Sequence, residues 1–297
     1  MNAALRNTNA RDRRGNDARS VFGDQYKYHA HMKRLGQHFL INRRMLRDVV
    51  VALAPEQGDA IIEIGAGHGE LTDELKNESE KTTIVAIEKD AHLAALLEKK
   101  FGNSATITVV VGDALLELAP ITQRIAPQPY VLTGNIPYYL TGRLLRLAGE
   151  LAHMPRRAVF TIQKEVALRI AATPPRMNKL AASVQFWADP KVVRVVPRQD
   201  FRPMPQVDGA IIVLEPRPGA LEDPMLRAPY YAAVRALFAQ PRKTILNNLR
   251  NSSGFSAGGS DAFAARLRAI GVDPQDRPQD LSTHAIAKLA RMFAPSE

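Results

Sequence analysis

The chain has 297 residues, 45% of them apolar and 24% charged, which gives room for one large domain and a small one, each with a core. Forty basic against 30 acidic side chains leave a net charge of +10 and a pI near 9.9; that sign favours a polyanionic partner through phosphate contacts, although a protein needing only solubility has the same balance. The absence of cysteine excludes disulfides and thiolate chemistry, the seven histidines have no zinc-type spacing, and no apolar run reaches the ~18 residues required to span a bilayer.

Residues 1–32 are polar and basic, lack the apolar core of a signal peptide, and read as a disordered lead. That lead is either an RNA-clinging tail or sequence upstream of a start at Met32. Asn42–Leu53 has helical apolar spacing (Met45, Leu46, Val49, Val50, Leu53), and Pro55 stops it. Ile61–Ile64 then runs as a strand into a G-x-G-x-G turn at Gly65, Gly67 and Gly69, followed by a helical pattern from Glu70. Glycine permits positive φ and close approach of a ligand to the backbone. The spacing differs from the G-x-G-x-x-G of dinucleotide folds and suits a nucleoside-type ligand better.

Three further strands follow. Residues 83–87 end at Glu88, where doubly wound folds bind ribose hydroxyls. Residues 107–112 end at Asp113, placed to meet the amino edge of an adenine. Residues 130–133 deliver Asn135. Helices are predicted at 90–101, 115–124 and 141–152, and a fifth strand at 158–162 continues into a helix at 164–172. Ala182–Val196, broken near Asp189-Pro190, and Val207–Leu214 predict an antiparallel end to the sheet. After a stiff linker at 215–219, short helical patterns at 230–239, 244–249, 262–270 and 283–293 carry Arg235, Arg242, Lys243, Arg250, Arg266, Arg268 and Arg277. The predicted fold is α/β: a Rossmann-like, mostly parallel sheet with an antiparallel end and a small C-terminal α-helical domain.

Asn135-Ile136-Pro137-Tyr138 reads as a holder for a flat, amino-bearing ring. Asn135 offers a carbonyl acceptor, Pro137 stiffens a loop whose main-chain carbonyls can also accept, and Tyr138 offers a face for stacking. The exocyclic amine of adenine is a poor nucleophile because its lone pair is delocalised into the ring. Two acceptors aimed at its hydrogens draw the nitrogen towards sp³ geometry and expose that pair.

The order of glycine loop, acid, acid and Asn-x-Pro-Tyr resembles the S-adenosylmethionine-dependent methyltransferases that act on the N6 of adenine. Four more segments make the likeness specific: Leu35-Gly36-Gln37-His38-Phe39-Leu40, Ile162-Gln163-Lys164-Glu165-Val166-Ala167, Phe201-Arg202-Pro203-Met204-Pro205-Gln206-Val207-Asp208, and Arg242-Lys243-Thr244-Ile245-Leu246-Asn247-Asn248-Leu249. Over roughly residues 33–293 the chain is similar to the ribosomal RNA adenine dimethyltransferase family, and within it to the small-subunit branch. Pro241, where the family usually has arginine, and Gly209, in place of a common serine, depart from the pattern.

The resemblance implies a class I methyltransferase domain over 33–215 and a helical RNA-contacting domain over 216–297. It implies S-adenosylmethionine as methyl donor, no metal, a monomer in the cytoplasm, and 16S rRNA of the small subunit as partner. Two adjacent adenosines near the 3′ end of that RNA would be dimethylated. Gln37, His38, Leu40, Gly65, Gly67, Glu88, Asp113 and Asn135 would hold the donor, with Gln37 and His38 alternatively capping the helix after residue 41. Asn135, Pro137 and Tyr138 would act on the target base. Phe201 would stack its other face or lie in the core, and Arg242 and Lys243 would grip RNA. The rival readings are a 23S rRNA adenine methyltransferase of the macrolide-resistance type, a DNA N6-adenine methyltransferase and a non-catalytic ribosome-assembly factor.

Overall fold

The computed structural model of the chain describes residues 37–78, 82–217, 224–250 and 259–292 and divides into two compact units, 1–37 and 38–297. The lead over 1–32 and the Pro218-Gly219 end of the linker lie outside the described residues.

The second unit opens with β1 (Phe39–Leu40) and α1 (Arg43–Leu53). Asn42 caps α1 by accepting from the Arg44 N–H, and the predicted stripe of Met45, Leu46, Val49, Val50 and Leu53 is its buried face. Four strand–helix units follow: β2 (Ala60–Ile64) with α2 (Glu70–Glu78), β3 (Ile84–Glu88) with α3 (Ala91–Phe101), β4 (Ile107–Val111) with α4 (Ala114–Ile125), and β5 (Tyr130–Asn135) with α5 (Thr141–Glu150). β6 (Arg157–Gln163) continues into α6 (Lys164–Ile170), and α7 (Lys179–Val184) precedes β7 (Ala188–Val196), β8 (Phe201–Arg202) and β9 (Gly209–Pro216).

The seven-stranded sheet has the order β4-β3-β2-β5-β6-β9-β7. The strands from β4 to β6 are parallel, and β9 runs antiparallel to both of its neighbours. β2, β3 and β5 are apolar and almost wholly buried, as strands covered by helices on both faces must be. One apolar cluster joins Ile62, Ile64, Leu118, Leu144, Phe160 and Trp187. The cluster on the opposite face joins Leu46, Leu53, Leu75, Leu97 and Phe101.

The antiparallel end differs from expectation in two respects. Residues 182–184 belong to α7, capped by the Asn178 side chain on the Leu180 and Ala181 N–H groups, and the strand does not break at Asp189-Pro190 but runs through it. β7 is the sheet's edge, where a proline lacking an N–H deprives no neighbour of a ladder bond.

Beyond residue 223 come α8 (Pro224–Leu237), α9 (Ile245–Arg250), α10 (Gly259–Ala269) and α11 (Thr283–Arg291). Tyr230, Leu237, Leu249, Leu267 and Leu289 form a separate apolar cluster, which takes in Met177, Ala181 and Ala182. Among the described residues no helix is long and apolar enough to cross a membrane.

Candidate active site at the strand ends

The carboxyl ends of β4, β3, β2 and β5 lie side by side, so the groups that terminate them share one edge of the sheet. The β2 turn places Gly65 and Gly67 at φ +71° and +61°, the left-handed region that glycine enters without strain. The Gly67 N–H donates to Glu88 Oε2 at 2.9 Å, and the Asp90 N–H donates to Oε1 at 2.8 Å. Glu88 is thereby fixed in place while each oxygen keeps capacity for another donor. Its burial pushes the carboxyl pKa up, and the two N–H groups oppose that rise.

The Phe39 ring lies over the glycine turn. A Cβ on Gly67 would come within 2.7 Å of two of its ring carbons, and the ring meets His68 edge-on at 4.4 Å. Asp113 caps α4 on the Leu115 N–H at 3.0 Å and pairs with Lys89 Nζ at 2.9 Å. The Lys89 hydrogen bond, then that of Leu115, hold its carboxyl below the usual range.

Asn135 ends β5, and its Nδ2 donates to the His38 carbonyl at 2.5 Å. A carbonyl can only accept, so the amide nitrogen must face it and Oδ1 remains the acceptor. Among the described residues nothing donates to Oδ1. In the next turn the Pro137 carbonyl accepts from the Leu140 N–H at 2.9 Å, whereas the Ile136 carbonyl takes no hydrogen bond from any described residue. The Ile136 carbonyl is therefore the open main-chain acceptor of the loop, and Pro137 stands in its turn.

His38 contributes more than its carbonyl. Its Nδ1 lies 2.7 Å from the Pro203 carbonyl, and β1 pairs with β8 through Phe39↔Arg202 and Leu40↔Phe201. Since Asn42 caps α1, His38 is not a helix cap; it ties the lead strand to the Phe201–Asp208 loop. The Tyr138 ring is half-buried, 5.7 Å from the His38 ring and tilted 31° to it. The Tyr138 hydroxyl is buried and has no hydrogen-bond partner among the described residues, and desolvation pushes its pKa up.

Two expected ligand contacts are core side chains. Phe201 is 2% exposed and packs with Leu40, Val196 and Ile211; a Cβ on Gly209 would lie 2.8 Å from its ring. The core reading of Phe201 therefore holds here, and the glycine that replaces the family serine makes room for the ring. Leu40, 4% exposed, belongs to the same cluster. Gln37 falls in the first unit. Arg242 and Lys243 are exposed on the turn between α8 and α9, and among the described residues neither has an ion-pair partner. Asn248 organises that turn, its Nδ2 donating to the Gln240, Lys243 and Thr244 carbonyls and its Oδ1 accepting from the Gln240 N–H.

Sequence reasoning missed Lys89, the partner of Asp113, and Glu63. Glu63 stands inside β2 at 1% exposure, accepts from the Thr72 hydroxyl at 2.6 Å, and has its carboxyl pushed up to about 8, chiefly by burial. The signal was present, since an acid in an otherwise apolar strand is unusual.

Residues 28–294 match the ribosomal RNA adenine dimethylase family. The chain is 34% identical over 262 residues to the ribosomal RNA small subunit methyltransferase A of Dehalococcoides mccartyi, covering 88% of each. It is 35% identical over 274 residues to the protein of that name from Gloeobacter violaceus, covering 90% of this chain and 94% of the other. Among solved structures, a dimethyladenosine transferase from Plasmodium falciparum has a TM-score of 0.72 at 21% identity, covering 86% of this chain and 97% of that one. The 23S rRNA methyltransferase ErmE has a TM-score of 0.64 at 23% identity, covering 86% and 100%. These two share the fold. With the family match spanning nearly the whole second unit, and the glycine turn, the buried acid and the Asn135 loop on one edge of the sheet, the chain belongs to the ribosomal RNA adenine dimethylase family.

Proposed function

We propose that the protein transfers methyl groups from S-adenosylmethionine to the N6 of two adjacent adenosines near the 3′ end of 16S rRNA, within the small subunit or its precursor, and acts in its biogenesis as a monomer. The observation that carries this reading is the orientation of Asn135. With its amide nitrogen held by the His38 carbonyl, Oδ1 and the Ile136 carbonyl are two acceptors on one short loop, the number of N–H bonds on an adenine amine. The names of the 34–35% identical relatives favour the small-subunit RNA over the rival substrates.

Gly67 seats the Phe39 ring, and the room for a ligand against the backbone is at Gly65, where a would-be Cβ meets only the Asn135 carbonyl, at 3.8 Å. Glu88 takes the two ribose hydroxyls of the donor on its remaining lone pairs, and Asp113 takes the adenine amino group. Gly65 and Gly67 lie along the methionine part, and His38 and the main chain at Leu40 close the site from the N-terminal side. When bound, the donor supplies a methyl group on a sulfonium whose leaving group departs neutral. No strong base is then required, and alignment provides most of the rate. Asn135 Oδ1 and the Ile136 carbonyl accept the two N–H bonds and turn the nitrogen lone pair towards the methyl. Tyr138 stacks the extruded adenine, a contact worth about 1–3 kcal/mol. The helices after residue 216 form the RNA-facing part, with Arg242 and Lys243 on phosphates.

The test is methylation of small subunits that lack dimethyladenosine, with large subunits as a control. Asn135→Ala is expected to lower turnover roughly 100-fold or more, the usual effect of removing one oriented polar group from a reacting centre, with cofactor affinity altered far less. Turnover equal to that of the unaltered protein removes Asn135 from the mechanism, and methylation confined to large subunits overturns the substrate.

A further inference from the structure

The Gln163-Lys164-Glu165 segment has no part in the chemistry above, yet it lines a hollow. Lys164, Glu165, Arg198, Gln206, Val207 and Asp208 surround a space of about 380 Å³, at the small end of ligand-sized clefts. Its walls are built rather than incidental. The Lys164 N–H donates to the Asp208 carbonyl at 3.0 Å, and the Arg198 N–H donates to Asp208 Oδ1 at 3.1 Å. Asp208 thus holds the hollow's two walls through its main-chain carbonyl and Oδ1, while among the described residues nothing donates to its Oδ2.

Two cations, Lys164 and Arg198, and two carboxylates, Glu165 and Asp208, face the space. Among the described residues neither the Lys164 ammonium nor the Arg198 guanidinium has a carboxylate partner, and Arg198 makes only a long 3.5 Å contact to the Gln206 carbonyl. Glu165 and the Gln206 amide are exposed and supply an acceptor and a donor–acceptor pair. The exposed Val207 adds an apolar wall. Two cations, two carboxylates, an amide and an apolar surface in one shallow space can divide the parts of a nucleotide between them: phosphate on the cations, base or ribose edge on the amide and carboxylates, base face on the valine.

Position adds to chemistry. Asn135 pairs with Thr161 across β5 and β6, and the Ile136 N–H donates to the Thr161 carbonyl at 3.0 Å. Lys164 follows Thr161 three residues further along, about 10 Å at the rise of a strand. The opposite wall belongs to the loop that His38 holds at Pro203. The hollow therefore adjoins the place assigned to the target adenine, at a span that neighbouring nucleotides of a splayed single strand cover.

We propose that this hollow receives the nucleotide next to the target adenosine, its phosphate on Lys164 and Arg198 and its polar edge on Gln206 and Glu165. The proposal rests on the adenine-methylating function above and adds to it a second nucleotide subsite. Seating the neighbour sets the register of the strand, so that the adenine at Asn135 is the intended one.

The experiment measures direct binding of an RNA hairpin carrying two adjacent loop adenosines, over a range of salt, for the full chain and for Lys164→Ala/Arg198→Ala. Loss of the phosphate contact is expected to weaken binding about tenfold and to make the log–log salt slope shallower by about one, while binding of S-adenosylhomocysteine is unchanged. Gln206→Glu removes the amide donor from the wall that takes the polar edge and adds a negative charge beside the phosphate's place, and is expected to weaken RNA binding as well; it decides the matter if the double variant does not fold. Unchanged affinity and slope in a folded double variant, or in Gln206→Glu, overturn the subsite. Absence of methyl transfer by the unaltered protein would instead overturn the function, and the binding comparison would still judge the hollow.

Discussion

Asn135 acts as an acceptor only because a residue far away in the chain presents a carbonyl to its nitrogen. The same dependence on surroundings governs Glu63. Burial pushes its carboxyl up to about 8 from an ordinary 4.5, with Glu70, Glu88 and Asp73 adding to the rise and the Thr72 hydroxyl opposing it. A raised pKa in the folded state means that the folded protein holds a proton which the unfolded chain gives up. Stability is then full below the ordinary value and falls as pH rises towards about 8, by up to about 1.4 kcal/mol per pH unit. Glu63→Gln keeps an acceptor for Thr72 and removes the titration. Thermal unfolding of the unaltered protein is expected to drop between roughly pH 5 and pH 8, while that of Glu63→Gln stays nearly level. Parallel curves for the two proteins would show that another group titrates.

At the scale of elements, two glycines in adjoining segments should behave in opposite ways. In β5, a Cβ on Gly134 would lie 2.3 Å from the Ile64 carbonyl oxygen of β2, a main-chain atom that no rotamer change can move. Gly134→Ala is expected to cost about 3 kcal/mol or more and to lower the melting temperature by roughly 6 °C or more. Gly142, in the first turn of α5, has open space around its would-be Cβ, and Gly142→Ala is expected to raise stability by up to about 1 kcal/mol. Differential scanning of the two variants checks both signs; a mild Gly134→Ala would mean that β2 and β5 can separate. The strands of the parallel sheet were legible because each is a short apolar run, and β2 to β5 are closed by a glycine, an acid or an asparagine. The helix at 179–184 was not, because an apolar run of that length fits either period and its only local signal is the Asn178 cap. At the site, Gly67, Glu88 and Asn135 were legible from their places at strand ends. Phe201 was not, since an aromatic in a proline-rich loop gives no sign of which way it faces, and the pairing of β1 with β8 is a purely tertiary event.

For the whole molecule, the excess of ten positive charges acts over a longer range than any single contact. Exposed ion pairs such as Arg146–Glu150 and Lys191–Glu215 contribute little to stability, so the uncompensated cations matter for association instead. Affinity for the small subunit is expected to fall about tenfold or more between roughly 50 and 200 mM salt, as counterion release requires when several phosphates are neutralised. Binding measured across that range checks it, and a flat profile would assign the charge to solubility alone.

The two-residue ladder between Phe39 and Arg202 has a consequence for biosynthesis. A chain still emerging from the ribosome acquires the glycine turn, Glu88, Asp113 and Asn135 early, but the clamp across them waits for residue 202 and the loop beyond it. Nascent fragments ending sooner would carry all the strand-end residues and yet lack this ladder, which can form only once about two thirds of the chain has been made.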